Sequence, residues 1–368
     1  MKRTAVIMAG GSGERFYPLS RRTRPKQLLP LVHPDKTMIE ESIERIAPLI
    51  DPSDIFIITS AVLQPIIRSV VTSVPAENVI AEPHKRNTAP CLALAASVLM
   101  ARYGKGTEIS VAVVTADQFI DDVDTFREQV DQAMKYAETN PVIVTLGITP
   151  SRPETGYGYI EKGPTIHNDV CAVKSFREKP DRATAEEFLR SGLFLWNSGM
   201  FFYRCDTFVE GMKTHASEIG SNIEHMTRLV ANDADLAVNG AYDSINDLFA
   251  ALPDISIDYA LMEVAPNVVV LPSRFPWDDV GSWDSLDRTN AADAQGNVCV
   301  GLSTVIDSSD SIVANYSTGQ AMMVSVIGME NVVVVATDDS IIVVPKDRVQ
   351  EVKKAVAKMK ERNQDSWL

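Results

Sequence analysis

The sequence predicts an α/β fold: a mainly parallel mixed sheet flanked by helices, then a small β-rich C-terminal segment and a last helix. Three observations predict it. Apolar, β-branched runs alternate with helix-period segments through the first half of the chain. A glycine-rich turn follows directly on the first of those runs. Near the C-terminus the pattern changes to short β-branched runs punctuated by Asn, Asp, Ser and Gly, with no amphipathic helix between them.

The elements follow in order. Residues 4–8 (TAVIM) read as a buried first strand, and residues 54–60, 109–115 and 142–146 as further strands. Residues 38–46, 63–71, 88–103 and 122–138 show helical periodicity. Thr88 is expected to cap its helix with a hydroxyl, with Pro90 in the first turn. Such alternation implies βαβ units, whose ligands bind beyond the carboxyl ends of the strands. The β-rich tail is read from VCVGLSTVI, SIVA, AMMVSVIG, NVVVVAT and SIIVVP. The last helix, 347–362, places Val349, Val352, Val356 and Met359 on one face. Residues 1–290 are expected to form one domain and 291–368 another, joined through 291–297 (AADAQGN).

Composition bounds the function. The 368 residues suffice for about two domains, and 45% hydrophobic with 23% charged residues is ordinary for a globular chain. A formal charge of −14 argues against nonspecific binding of nucleic acid or anionic membrane. A phosphate ligand must therefore be drawn by local charge. The opening MKRTAVIMAGG does not read as a signal peptide, and no run reaches the ~20 apolar residues of a membrane span. Cytoplasmic residence is expected. Cys91, Cys171, Cys205 and Cys299 form no C-x-x-C pair, and the five histidines show no ligand spacing, so a structural zinc site is not expected.

The most informative stretch is MAGGSGERFYPLSRRTRPKQ, residues 8–27. Gly10, Gly11 and Gly13 leave backbone N–H groups open to close approach, a concavity suited to anions. Arg15, Arg21, Arg22, Arg24 and Lys26 follow, against the single acid Glu14. The spacing fits neither the P-loop nor the dinucleotide fingerprint. An ordinary tight turn would explain the glycines alone; the cations make a polyphosphate site the sharper reading.

Other constellations carry chemistry. Asp117 follows a strand directly and is placed either to hold Mg²⁺ or to cap the next helix. Trp277-Asp278-Asp279-Val280-Gly281-Ser282-Trp283 reads as a second acidic site, with Asp279 or Asp278 as ligand, or as a core-anchoring turn with solvated acids. Gly156, Tyr157, Glu161, Glu178, Lys179 and Asn197 suit a sugar phosphate, or belong to surface ion pairs and turns. Glu82, Asn87 and Thr88 lead into a helix start where backbone and amide groups suit a purine edge, or form a capped helix with a polar lead-in.

Taken together and in this order, the motifs resemble the sugar-1-phosphate nucleotidyltransferase family, and within it the bacterial single-function mannose-1-phosphate guanylyltransferases. The pattern G-G-x-G-x-R-x-x-P-L-x-x-x-x-x-P-K-Q is met from Gly10 to Gln27. R-N-T-A-P, T-G-Y-G-Y-I-E, F-x-E-K-P, W-N-S-G-M, S-I-D-Y-A and D-V-G-S-W follow. The resemblance implies a Rossmann-like catalytic domain with a β-helix-like tail, lacking the extra isomerase domain of bifunctional relatives. It implies GTP plus mannose 1-phosphate giving GDP-mannose plus pyrophosphate, with Mg²⁺ on Asp117 and Asp279 as cofactor. Arg15 and the amides from Gly10 to Gly13 would hold the triphosphate, and Lys26 would offset charge near the α-phosphate. Glu82, Asn87 and Thr88 would contact guanine; Gly156, Tyr157, Glu161, Glu178, Lys179 and Asn197 would take the sugar phosphate. A homo-oligomer, such as a dimer, is expected. One departure stands out: the family's P-A-D-H is Thr115-Ala116-Asp117-Gln118 here. Another hexose 1-phosphate or nucleotide, or a non-catalytic sugar-nucleotide-binding regulator, are the alternatives.

Overall fold

The opening apolar run forms the strand Lys2–Met8, buried from Thr4 to Ile7, and a sheet is assembled on both sides of it. The computed structural model describes residues 1–11, 13–104, 106–233, 243–319 and 322–368. By packing, these fall into two units: Met1–Gly10, Ser42–Thr115 and Ile120–Pro276 in the first, and Gly11–Glu41, Ala116–Phe119 and Trp277–Leu368 in the second.

The first unit holds a mixed sheet of nine strands among the described residues. In spatial order these are Val79–Glu82, Ile55–Ser60, Lys2–Met8, Ile109–Thr115, Phe194–Arg204, Ile143–Ile148, Val268–Pro272, Val170–Glu178 and Gly158–His167. The N-terminal half is parallel, as βαβ alternation requires: Ala5 pairs with Ile55 and Ala112, and Ile58 with Ile80. Phe194–Arg204 then enters antiparallel between Ile109–Thr115 and Ile143–Ile148. It also pairs with Gly158–His167, joining the strands that carry Asn197 and Glu161.

Helix Thr88–Tyr103 is buried from Ala89 to Leu99 because it lies between the sheet and helix Ile223–Asn232. That explains its apolar composition on every side. Its cap differs from the expected one. Asn87 supplies it, accepting the Thr88 amide at 3.0 Å from a left-handed φ of 66°. The Thr88 hydroxyl instead accepts the Ile257 amide at 2.8 Å. Helix Val123–Thr139 is capped by Asp122, which accepts the Thr125 amide, so Asp117 does not cap it.

The second unit is built on a separate cluster: Phe16, Leu29, Met38, Val280, Trp283, Leu286, Val298, Ile312, Val333, Val335, Val352 and Val356. Trp283 is fully buried, stands edge-on to Phe16 at 5.1 Å and donates its indole N–H to the Tyr17 carbonyl at 3.0 Å. The β-branched run 298–306 is divided into Val298–Val300 and Ser303–Ile306, which pair in different sheets. Gly301 makes that corner. Its φ is 73°, and a Cβ there would lie 2.1 Å from the Asn315 carbonyl oxygen. Val298–Val300, Ile312–Asn315 and Val332–Ala336 stack in parallel, as do Ser303–Ile306 and Val324–Ile327, the β-helix-like pattern expected of the tail. The expected run at 321–328 begins at Ala321, which lies outside the described residues. Segment 291–297 is a turn in which Asp293 accepts the amides of Gln295 and Asn297. The last helix, Val352–Glu361, buries Val352 and Val356 as its periodicity requires.

Within this unit the glycines are not equivalent. Gly13 has a φ of +61°, and a Cβ would stand 2.6 Å from the Lys26 backbone nitrogen. Beyond its own chain neighbours, Gly11 has no atom of the described residues within 4 Å of an added Cβ. Gly13→Ala is therefore expected to cost at least about 1 kcal/mol for the left-handed backbone alone, lowering the melting temperature by a few degrees. Gly11→Ala should leave thermal unfolding unchanged, and equal melting temperatures for the two variants would contradict this account.

Candidate functional site

In the second unit the sequence brings a lysine and two acids together. Lys26 lies in the 3₁₀ turn Lys26–Leu28, with its side chain only 8% exposed. Its ammonium meets Asp117 Oδ2 at 3.0 Å and donates to the Asp279 backbone carbonyl at 2.5 Å. A buried ammonium demands such partners, because desolvating an unpaired charge costs several kcal/mol. The Asp117 side chain remains 35% exposed.

The two adjacent aspartates have different environments. Asp278 is buried and accepts the Val280 amide at 2.8 Å. It also takes Arg288 in a two-pronged ion pair, at 2.5 Å and 3.2 Å. It is thus not a solvated acid, contrary to the turn reading. Val280 is fully buried at a φ of +47°, a genuine outlier for a β-branched residue. Core packing and the Asp278–Arg288 pair hold that backbone, and with it the Asp279 carbonyl turned to Lys26. Gln118, which departs from the resembled pattern, is buried and accepts the Trp277 indole N–H at 2.8 Å. It anchors the start of the same loop.

Arg15 is exposed, and its guanidinium donates to Gln350 Oε1 at 3.3 Å. Gln350 in turn donates to the Ser282 hydroxyl at 2.8 Å, and Lys360 pairs with Glu14 at 2.6 Å. The C-terminal segment therefore braces the glycine-rich turn. Of the other cations, Arg21 is held by Asp339 at 2.7 Å and lies over the Tyr17 ring, while Arg22 and Arg24 are exposed. Ser12 lies outside the described residues.

In the first unit, Glu82 ends its strand with Oε2 3.6 Å from the position a Cβ on Gly10 would take. Its Oε1 is buried with no hydrogen-bond partner among the described residues. Burial pushes the carboxyl up to about 7, against the opposing Cys91 thiol and Lys85 charge. A buried carboxyl oxygen left unpaired in this way calls for a donor. Asn87, exposed, and Thr88 follow at the helix start.

The sugar-phosphate candidates also lie in the first unit. Glu178 has its side chain 6% exposed and is ion-paired with Lys179, whose side chain is 61% exposed. Lys179 has a left-handed φ of 48°, the second such non-glycine residue at a candidate position. Gly158 makes room for this arrangement: a Cβ there would come within 2.6 Å of Glu178 Oε2. Asn197 donates to Asp258 Oδ1 at 2.9 Å. Burial, then the Glu178 charge, push Asp258 up to about 6. Tyr157 stands edge-on to Trp196 at 5.2 Å and accepts from Arg152 at 3.1 Å. The Gly156 amide donates to Glu154. Glu161 accepts from Lys174 at 2.5 Å and Ser175 at 2.9 Å, which hold its pKa below the usual range. Asp258 is the residue that sequence reasoning left without a role, although S-I-D-Y-A carried it.

The groups around the Lys26 ammonium are oxygens, the Asp117 carboxylate and the Asp279 backbone carbonyl, and oxygen is what Mg²⁺ takes from a protein when phosphates and water complete its shell. Among the described residues, no three His, Cys, Asp or Glu side chains are grouped to hold a metal. No described helix is long and apolar enough to cross a membrane.

Comparison with known proteins gives the family. Residues 4–296 match the nucleotidyl transferase family, and residues 301–359 match the mannose-phosphate isomerase/GMP-like β-helix domain. A mannose-1-phosphate guanylyltransferase of Escherichia coli K12 is 38% identical over 367 residues, covering 96% of this chain and 73% of its own length. The alginate biosynthesis protein AlgA of Pseudomonas aeruginosa is 38% identical over 361 residues, covering 95% and 71%. A crystal structure from Thermus thermophilus, described as a mannose-1-phosphate geranyltransferase, superposes with a TM-score of 0.85 at 34% identity, covering 98% of this chain and 100% of its own. A turn of glycines braced on a buried, acid-paired lysine and the match that runs from residue 4 to residue 296 give one conclusion: the chain belongs to the nucleotidyl transferase family.

Proposed function

We propose that this chain transfers GMP from GTP to α-D-mannose 1-phosphate, giving GDP-mannose and pyrophosphate. The observation that carries the reading is the buried Lys26 ammonium bracketed by Asp117 and Asp279, next to a glycine turn with an exposed Arg15. The Escherichia coli relative, named for this reaction and alike over 96% of this chain, supports the choice of substrates.

A phosphate oxygen of the sugar ester attacks the α-phosphorus of GTP in line. The new O–P bond forms as the bond to the β-phosphate oxygen breaks, and pyrophosphate leaves with the electron pair. The attacking oxygen is already ionised, so no general base is needed. The barrier lies in bringing two polyanions together, so catalysis is positioning and charge compensation. Arg15 and the amides of Gly10, Gly11 and Gly13 hold the triphosphate. Lys26 offsets charge at the transferring phosphoryl group. Glu82, Asn87 and Thr88 take the guanine. Gly156, Tyr157, Glu161, Glu178, Lys179 and Asn197 orient the sugar phosphate. Mg²⁺, held by Asp117 and Asp279, would supply further neutralisation of phosphate charge. The commitment of Asp278 to Arg288 supports Asp279 over Asp278 as its ligand. On this reading residues 1–290 form the catalytic domain and 291–368 the β-rich domain. Cytoplasmic residence and a homodimer belong to it too; exposed Ile306, Ile327, Ile341 and Val343 on the tail support the latter.

Two outcomes test the reading. Lys26→Ala and Arg15→Ala should each lower kcat by about 10²–10³, the loss expected for one fixed electrostatic contact, measured as pyrophosphate release. Near-normal turnover in both would remove their assigned role. The second test uses pH. With its pKa near 7, Glu82 is largely protonated at about pH 6 and largely ionised at about pH 8. A carboxylate accepts the guanine N1–H and 2-amino donors, so KM for GTP should fall as pH rises across that window. Glu82→Gln should flatten the dependence, and an identical profile in the variant would count against the guanine contact.

A further inference from the structure

Asp258 has no part in the machinery assigned above, yet its place in the first unit is closely specified. It opens a single turn of π-helix, Asp258–Met262, closed by the Glu263 amide on the Asp258 carbonyl at 2.9 Å. Turns of this type are frequent at functional sites. The stretch before it is pinned to the start of helix Thr88–Tyr103: the Ile257 amide donates to the Thr88 hydroxyl at 2.8 Å, and the Ala89 amide to the Ile255 carbonyl at 3.2 Å.

What Asp258 does follows from Asn197. The Asn197 Oδ1 accepts from Gly199 N at 3.1 Å and from the Thr145 hydroxyl at 3.3 Å. Its Nδ2 donates to Asp258 Oδ1. A flipped amide would set its NH₂ against the Gly199 N–H and its oxygen against the Asp258 carboxylate. Only one orientation is therefore allowed, and it leaves one N–H of Asn197 for an outside acceptor. The charged and titratable neighbours of Asp258 are Glu178, Lys179 and Tyr259. Glu178 and Lys179 belong to the same assigned sugar-phosphate group as Asn197.

We propose that Asp258 is a positioning residue for the acceptor sugar phosphate, fixing the Asn197 amide with one N–H directed to substrate while the Thr88–Ile257 hydrogen bond fixes Asp258 itself. The proposal rests on the function given above. It ties the residues assigned to guanine to those assigned to the sugar through one short segment, 255–258.

Initial rates of the full chain, with GTP and mannose 1-phosphate varied separately, test it. Asp258→Ala should raise KM for mannose 1-phosphate about tenfold or more, the scale of one charge-assisted hydrogen bond, with KM for GTP and the melting temperature nearly unchanged. Asp258→Asn keeps an acceptor for Asn197 and should restore most of that loss, to within about threefold. A purely structural role would raise both KM values together and would not be rescued by Asn. Should the Ala variant not fold, Asp258→Asn carries the test through pH. Its KM for mannose 1-phosphate relative to wild type should be above one at neutral pH and converge on one below about pH 6, where the wild-type carboxyl is protonated; a flat ratio overturns the proposal. An active wild type with an unaffected Ala variant overturns this proposal alone. A wild type that makes no GDP-mannose overturns the assigned function, and this proposal with it.

Discussion

The second unit depends on one buried cation. Lys26 has its ammonium shielded from water and answered by Asp117 and the Asp279 carbonyl. The lysine and its partners come from three separated stretches of chain, 11–41, 116–119 and 277–368. Removing either acid-bearing stretch would strand a charge, so the lysine specifies how the three stretches meet. The same lysine explains Gly13, whose missing side chain lets the turn pass over the Lys26 backbone. Glycine pattern and lysine, read from the sequence as parts of a phosphate site, are also one packing unit.

The loop carrying the acids shows how local strain is held. Val280 has a backbone conformation that a β-branched residue avoids, and three features over-determine it: burial beside Trp283, the Asp278 carboxylate on its amide, and Arg288 on Asp278. Gln118 belongs to the same scheme. It departs from the resembled P-A-D-H pattern, but its carbonyl satisfies the Trp277 indole. In the first unit the logic is different. Glu82 and Asp258 are carboxyls whose pKa burial raises, to about 7 and about 6, so a nearby donor or positive charge favours their ionised form.

Much of this was legible in the sequence. Helices Met38–Ile46 and Thr88–Tyr103 and strand Ile109–Thr115 stand where periodicity and β-branched runs put them. The parallel half of the sheet followed from alternation. The antiparallel strand Phe194–Arg204 did not, because residue pattern records which side chains are buried and not which neighbour a strand takes. The corner at Gly301 was hidden for a related reason: both flanking runs are apolar, and only the third dimension shows the Asn315 carbonyl in the way. The helix cap moved from Thr88 to Asn87 because the Thr88 hydroxyl has a long-range partner, Ile257, that no local rule reveals. Asp258 escaped notice in the same way: its importance lies in Asn197, 61 residues distant.

The central claim is that Asp117 and Asp279, set around Lys26, are the acids that hold a divalent cation with the nucleotide, while Asp278 serves the fold. Crystals grown with GTP and Mn²⁺ test it through the anomalous signal of the metal. The account predicts one peak within coordination distance of carboxylate oxygens of Asp117 and Asp279, with Asp278 still paired to Arg288. A peak on Asp278, or nucleotide and metal bound away from Lys26, would contradict it.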